Sequence, residues 1–370
     1  MKTELEKAFT DLCAAAGKND ARLLPDIFDA PEAMDEMEVP SLRHFLSQNE
    51  VVLHKVEAMD PAPGTEEADL ARACYSYRPN KLKKEAEPFS SEYTWFLFRK
   101  APGSATWKAA DKGLYLKRLS ETREWRRMEG EKIRHYFDYS IKKSMDSINA
   151  GCAQQEYAGV LDFLGEKGGS FPLDYFVYDD AKSLPELGLE ACASGARWVF
   201  SGHPCDLFQL SCHSLKSVNG RIPRFFLFGF AAYYTHIVAG GRYPIFNFSR
   251  EEFSQKAAEM LRDMPPTSVG LVASNVEFDR WAQVVSYFLH LSRKPFSAQT
   301  LLLLYASSFI KFLFESEDIA PTAIERKEII LKVLKKGNAD NFENVFKETV
   351  GLKLRKAEKL WLKALAKGRG

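Results

Sequence analysis

In ELEKAFTDLCAAAGKNDARLLPDIF the apolar residues Leu5, Ala8, Phe9 and Leu12 fall at helical intervals before GKND interrupts them. The opening therefore predicts a helix, a turn and a second short helix. Further on, EYTWFLFRKAPGSATWKAADKG holds two aromatic-rich runs around a Pro-Gly-Ser turn, which is a hairpin signal. Helices first and a hairpin last predict an α+β domain over residues 1–116. Residues 117–150 are dense in charge with apolar residues at helical spacing, so they predict a helical linker. FPLDYFVYDD alternates and ARWVFSG is a short apolar run, so both predict strands. After Pro204 the period becomes helical. CDLFQLSCHSLKSV places Leu207, Leu210, Ser211 and Ser214 along one side and Cys205, Gln209 and His213 along another. NGRIP breaks that helix and RFFLFGFAAYYTHIV supplies the next, followed by helices predicted over 250–263, 277–293, 297–315, 322–336, 339–348 and 354–367. Residues 151–370 thus read as a second domain, a short sheet with a helical lobe, and the fold class of the chain as α+β.

Composition narrows the function classes. The 370 residues are 45% hydrophobic and 27% charged, a globular balance with length for two or three domains. The net charge of +1 argues against a strong whole-molecule field for nucleic acid or membrane, so any such contact has to be local. Arg123, Arg126 and Arg127 beside Trp125 suggest a nucleic-acid patch, but Glu121, Glu124, Glu129 and Glu131 balance them as on a solvated helical face. Neither nucleic acid nor membrane is expected as a partner. The first twenty residues lack the apolar core of a secretory signal, which predicts a cytoplasmic protein. TLLLLYASSFIKFLF is too short to span a membrane and contains Lys311, so it reads as a buried helix. Six cysteines, Cys13, Cys74, Cys152, Cys192, Cys205 and Cys212, are scattered without C-x-x-C spacing and predict neither a disulfide framework nor a zinc ribbon.

Two resemblances add to this reading. AAAGKNDARLLPDIF and Thr106-Trp107-Lys108 make the first domain similar to the cone-shaped nuclear transport factor two-like (SnoaL-like) fold. That likeness implies a pocket in the mouth of the cone, while Trp95, Phe96, Phe98 and Trp107 read as core. The second domain resembles gluzincin, or peptidase MA-like, domains over about residues 170–366. Pro223, Phe225, Phe226, Gly229, Ala231 and Tyr233 follow the family's P-x-W-L-x-E-G-x-A-x-Y helix in order. YASSFIKFLFES is like its later helix, and Phe342, Phe346, Gly351, Glu358 and Trp361 are like its closing segment.

The gluzincin resemblance implies a His-Glu-x-x-His zinc site, whose chemistry needs two imidazoles at i and i+4, an adjacent Glu as base and a third ligand. With His213 as the second histidine, Gln209 stands at the first, Leu210 at the base and Phe228 at the third ligand. An amide is a poor zinc ligand, Leu accepts no proton and Phe coordinates nothing. The expectation is a protein with no catalytic residues, no metal and no cofactor, whose former site is packed by Leu210 and Phe228. A polypeptide or protein partner is expected in the old cleft, with Phe225, Tyr233 and Tyr234 as candidates to line it. Against that, core packing also accounts for the aromatic helix at 225–234.

Other arrangements remain open at this point. His203, Cys205, Cys212, His213 and His236 are candidates for a relocated metal site, although Cys212 and His213 diverge by about 100° on a helix. Cys212 with His236 is a candidate nucleophile pair. SGH at Ser201–His203 lacks the hydrolase elbow context, and no P-loop is present. The alternative to a non-catalytic protein is an enzyme built on that Cys/His set or on an N-terminal small-molecule pocket with His44, His54, Asp60 or Tyr93.

Overall fold

The computed structural model describes residues 2–18, 49–59, 69–79, 94–100, 106–110, 112–138, 147–167, 172–178, 192–194, 197–240, 246–262, 264, 267–292, 297–338 and 340–367. They form both helices and sheets in an α+β protein with two compact units, residues 1–151 with 170–204 and residues 152–169 with 205–370.

The first unit holds two sheets. Helix α1 (Lys2–Lys18) precedes β1 (Asn49–Ala58), β2 (Leu70–Pro79), β3 (Thr94–Lys100) and β4 (Trp107–Ala110), an antiparallel meander in that order. The stripe Leu5, Phe9 and Leu12 buries itself against Ala71, Ala73, Tyr75, Phe98, Trp107 and Ala109, where the helical period meets the period of two on β2. Leu70, Cys74, Leu97 and Ala110 pack with Leu114 and Tyr115 of α2 (Lys112–Thr122). Arg118 of α2 donates to both carboxylate oxygens of Asp69, at 2.8 and 2.9 Å, and fixes α2 to the meander. The other side of α2 places Leu116 and Leu119 on the second sheet, with Trp125, Tyr136, Phe176, Tyr178, Trp198 and Phe200.

That sheet contains β5 (Arg126–Met128), β6 (Ile133–Phe137), β7 (Leu173–Val177), β8 (Cys192–Ser194) and β9 (Trp198–Ser201), in the order β5-β6-β7-β9-β8. Strands β6, β7 and β9 are parallel, and the edges β5 and β8 are antiparallel. The parallel step from β6 to β7 crosses through α3 (Ser147–Leu164), as a parallel connection requires. Strands covered on both faces read as apolar runs, which explains YFV in β7 and WVF in β9.

Residues 117–150 are therefore not a helical linker. They hold the end of α2, the hairpin β5–β6 and the start of α3. Charged residues on the exposed β5 mask the alternation Ile133, His135, Phe137, whose side chains are all buried. The first unit breaks at 151, where the sequence places the boundary, but the strands at 173–201 group with it as well.

The second unit is helical among the described residues. After α3 come α4 (Leu207–Val218), α5 (Arg224–Tyr233) with a π-helical turn at Tyr234–Val238, α6 (Phe253–Leu261), α7 (Val269–Val272), α8 (Asn275–Ser292), α9 (Ala298–Glu315), α10 (Ala323–Lys336), α11 (Phe342–Val350) and α12 (Leu354–Ala366). Except for α7, which was not expected, these bounds follow the sequence expectation within a few residues. Helix α9 passes close to α5 at Gly229, where an added Cβ would stand 2.8 Å from the Ala306 carbonyl oxygen. No described helix is long and apolar enough to cross a membrane. The second short helix expected after GKND and the Pro-Gly-Ser turn lie outside the described residues.

Candidate functional site

Local chemistry sets the frame of α4 and α5, the helices that carry Gln209, Leu210, His213 and Phe228. Asp206 caps α4, its side chain accepting from the Gln209 N–H at 3.1 Å. At the other end the Asn219 amide donates to the Leu334 and Gly337 carbonyls, each at 2.8 Å, and ties α4 to the end of α10. Ser211 and Ser214 donate their hydroxyls to the Leu207 and Leu210 carbonyls at 2.7 and 2.8 Å, so these buried serines are satisfied inside the helix. Helix α5 starts at Pro223 without a cap from its own side chain. Asn275 supplies that acceptor, taking the Arg224 N–H at 2.8 Å, while the Arg224 side chain pairs with Asp279.

Leu210 is 0% exposed and His213 4%, both facing inward from α4, while Gln209 is half-buried. The His213 ring lies 6.0 Å from that of Tyr157 on α3. Phe228 stacks on Phe208 at 6.2 Å and meets Phe278 at 6.3 Å. One imidazole, an amide, an isobutyl group and a phenyl ring do not fit a zinc ion. Among the described residues no three His, Cys, Asp or Glu side chains are placed to hold a metal.

The relocated Cys/His set does not assemble into a ligand cluster among these residues. His203 is exposed, and its backbone carbonyl accepts from the Tyr175 hydroxyl at 2.7 Å. Cys205 and Cys212 are buried, and burial pushes the Cys212 thiol up to about 12. A thiol held protonated is neither a nucleophile nor a ready ligand. His236 sits on the π-helical turn among Phe246, Phe248 and Phe253, at 5.0, 5.6 and 5.8 Å. Neither of its ring nitrogens has a partner in hydrogen-bonding geometry, so it is not paired with Cys212. Burial holds its pKa below the usual histidine value, and the backbone of Ser249 opposes this only partly.

The three candidates for lining a cleft are core residues. Phe225 packs against Phe226, Phe278, Tyr305 and Phe309, Tyr233 stacks on Phe314 at 5.2 Å, and Tyr234 meets Phe163 edge-on at 5.3 Å. Helix α5 is enclosed by α4, α8 and α9, so aromatics on nearly all its sides find a packing partner. In the first unit, Nε2 of His54 lies 2.6 Å from the Ser76 hydroxyl, whereas His44, Asp60 and Tyr93 lie outside the described residues. Trp125 is buried against Phe176, and Arg127 pairs with Glu129 on a strand and not on the helical face expected there.

Two buried polar groups carry the strongest environments. His135 is enclosed between Phe137 and Tyr175 at 5.5 and 5.2 Å, its Nε2 has no partner, and burial pushes its pKa down to about 4. Glu358, on α12, accepts the Val269 N–H at 2.9 Å, and burial holds its carboxyl above the usual range. In the sequence, the charges around His135 hide the strand alternation that buries it, so its residue order gives no signal of a site. Comparison of the chain with family models, with curated proteins and with solved structures finds no match.

Proposed function

We propose that this chain is a non-catalytic protein with a peptidase-like second half, serving to bind a polypeptide or to scaffold a complex. The burial of Leu210 at the position of a catalytic base carries this reading, because a buried leucine neither takes a proton nor leaves room for an attacking water. The stacking of Phe228 on Phe208 supports it, since an aromatic packed there offers no third ligand. Polypeptide binding needs no metal where backbone hydrogen bonds to a strand edge supply the affinity, and β5 and β8 are such edges.

The test is elemental analysis of untagged protein purified without chelator, run beside a cleavage assay on a denatured protein and a peptide-array binding assay. The expected outcome is zinc far below stoichiometry, no cleavage, and captured peptides that slow hydrogen exchange in β5 or β8. Near-stoichiometric zinc that disappears in a His213→Ala variant would overturn the proposal.

A further inference from the structure

Helix α12 presents a solvent face of one sign. From residue 353 to residue 367 the exposed side chains are Lys353, Arg355, Lys356, Lys359, Leu362, Lys363, Ala366 and Lys367, six cations with no carboxylate among them. The one acidic residue of the helix, Glu358, is turned inward and held by the Val269 N–H. Arg355 feels that buried carboxylate, and none of the six cations is ion-paired within the described residues. With the whole chain at +1, this excess is a local feature and not the sign of a generally basic protein. Leu362, 45% exposed, borders the cationic face next to Arg355 and Lys359.

We infer that this face of α12 is a docking surface for a membrane rich in anionic phospholipid. A row of cations at i, i+3, i+7 and i+11, Lys356, Lys359, Lys363 and Lys367, runs along one side of a helix of roughly 20 Å and meets a planar charged surface all at once. Lysine stems reach headgroup phosphates while the apolar Leu362 enters the headgroup boundary. Clusters of four to eight Lys or Arg on an amphipathic helix recognise anionic lipid by this chemistry. A nucleic acid fits the face less well. Leu354, Ala357, Trp361 and Leu365 bury the other face of α12, and its exposed residues include no aromatic to stack on a base and no Asn or Gln to pair with an adenine.

The experiment uses the full chain and sedimentation with phosphatidylcholine vesicles, with and without phosphatidylserine. Binding is expected only to the phosphatidylserine vesicles, falling steeply as salt is raised. The triple variant Lys356→Glu, Lys359→Glu, Lys363→Glu is expected to lose more than about a hundredfold in affinity, from roughly fivefold per neutralised cation. Its helical circular dichroism should match the parent, since all three side chains are exposed; the corresponding Gln variant is the milder control. Equal binding to both vesicle types, or an unaltered triple variant, would overturn the inference. So would tighter binding to an RNA oligomer than to the anionic vesicles.

Discussion

Replacing His135 with Phe should remove an acid-sensitive contribution to the stability of the first unit. The imidazole is enclosed by two aromatic rings, with the Pro204 backbone helping one nitrogen and nothing near the other able to receive a second N–H. Burial outweighs that help and lowers the folded pKa from 6.5 to about 4. Between those two values the unfolded chain binds a proton that the folded chain refuses. The contribution is fully present above pH 6.5 and is lost as pH falls towards 4. At about 1.4 kcal/mol per pH unit for one proton, the loss accumulates to about 3 kcal/mol across that window. Phe keeps the ring contacts, gives up the Pro204 hydrogen bond at about 1 kcal/mol, and cannot protonate. Urea unfolding read by hydrogen exchange in β6 and β7 isolates this unit from the other. The variant should be less stable at neutral pH and should overtake the parent as pH approaches 4. If the two stability curves ran parallel across the window, the argument from His135 would fail. His236, whose pKa is also held down by burial, adds a background slope in the second unit, which a His236→Phe variant would flatten there and not in β6 or β7.

The remaining predictions concern packing and buried charge in the second unit. Gly229→Ala puts a Cβ 2.8 Å from a backbone oxygen of α9 and should cost about 1–3 kcal/mol, seen as a lower Tm without loss of helix content before the transition. Glu358→Gln keeps an acceptor for the Val269 N–H while removing a buried ionisable group, so it should be neutral or stabilising at neutral pH. Glu358→Ala orphans that N–H and should destabilise by about 1–3 kcal/mol; equal melting of the two variants would contradict the hydrogen-bond account.

Most helices of the second unit were legible because they are long and strongly periodic and some carry a readable cap, whereas the four-residue α7 was not expected. Thr322 and Glu325 form a capping box at the start of α10, and Ser297 caps α9, both readable from residue order. The β5–β6 hairpin was not legible, since the two exposed arginines and half-buried Met128 of β5 and the charges around Gly130 carry no alternation of their own. Its partner β6 becomes a strand by pairing in parallel with β7, a contact forty residues away in the chain. The aromatics of α5 were legible as apolar, but not their assignment between core and cleft, because only the arrangement of α4, α8 and α9 around that helix decides which faces are covered.

At the candidate site, residue identity alone excludes the chemistry: no fold turns Leu210 into a base or Phe228 into a ligand. The chain order likewise carries the α+β class and the amphipathic pattern of α12, because periodicity and side-chain chemistry are local properties. Burial is not local. That Leu210 is sealed, that His135 and His236 lie among rings, that Glu358 turns inward and that the lysines of α12 are left facing solvent all depend on which distant segments arrive to cover them. The cost of desolvating a polar group, and hence its pKa and its availability to a partner, is set by those neighbours and so belongs to the tertiary structure.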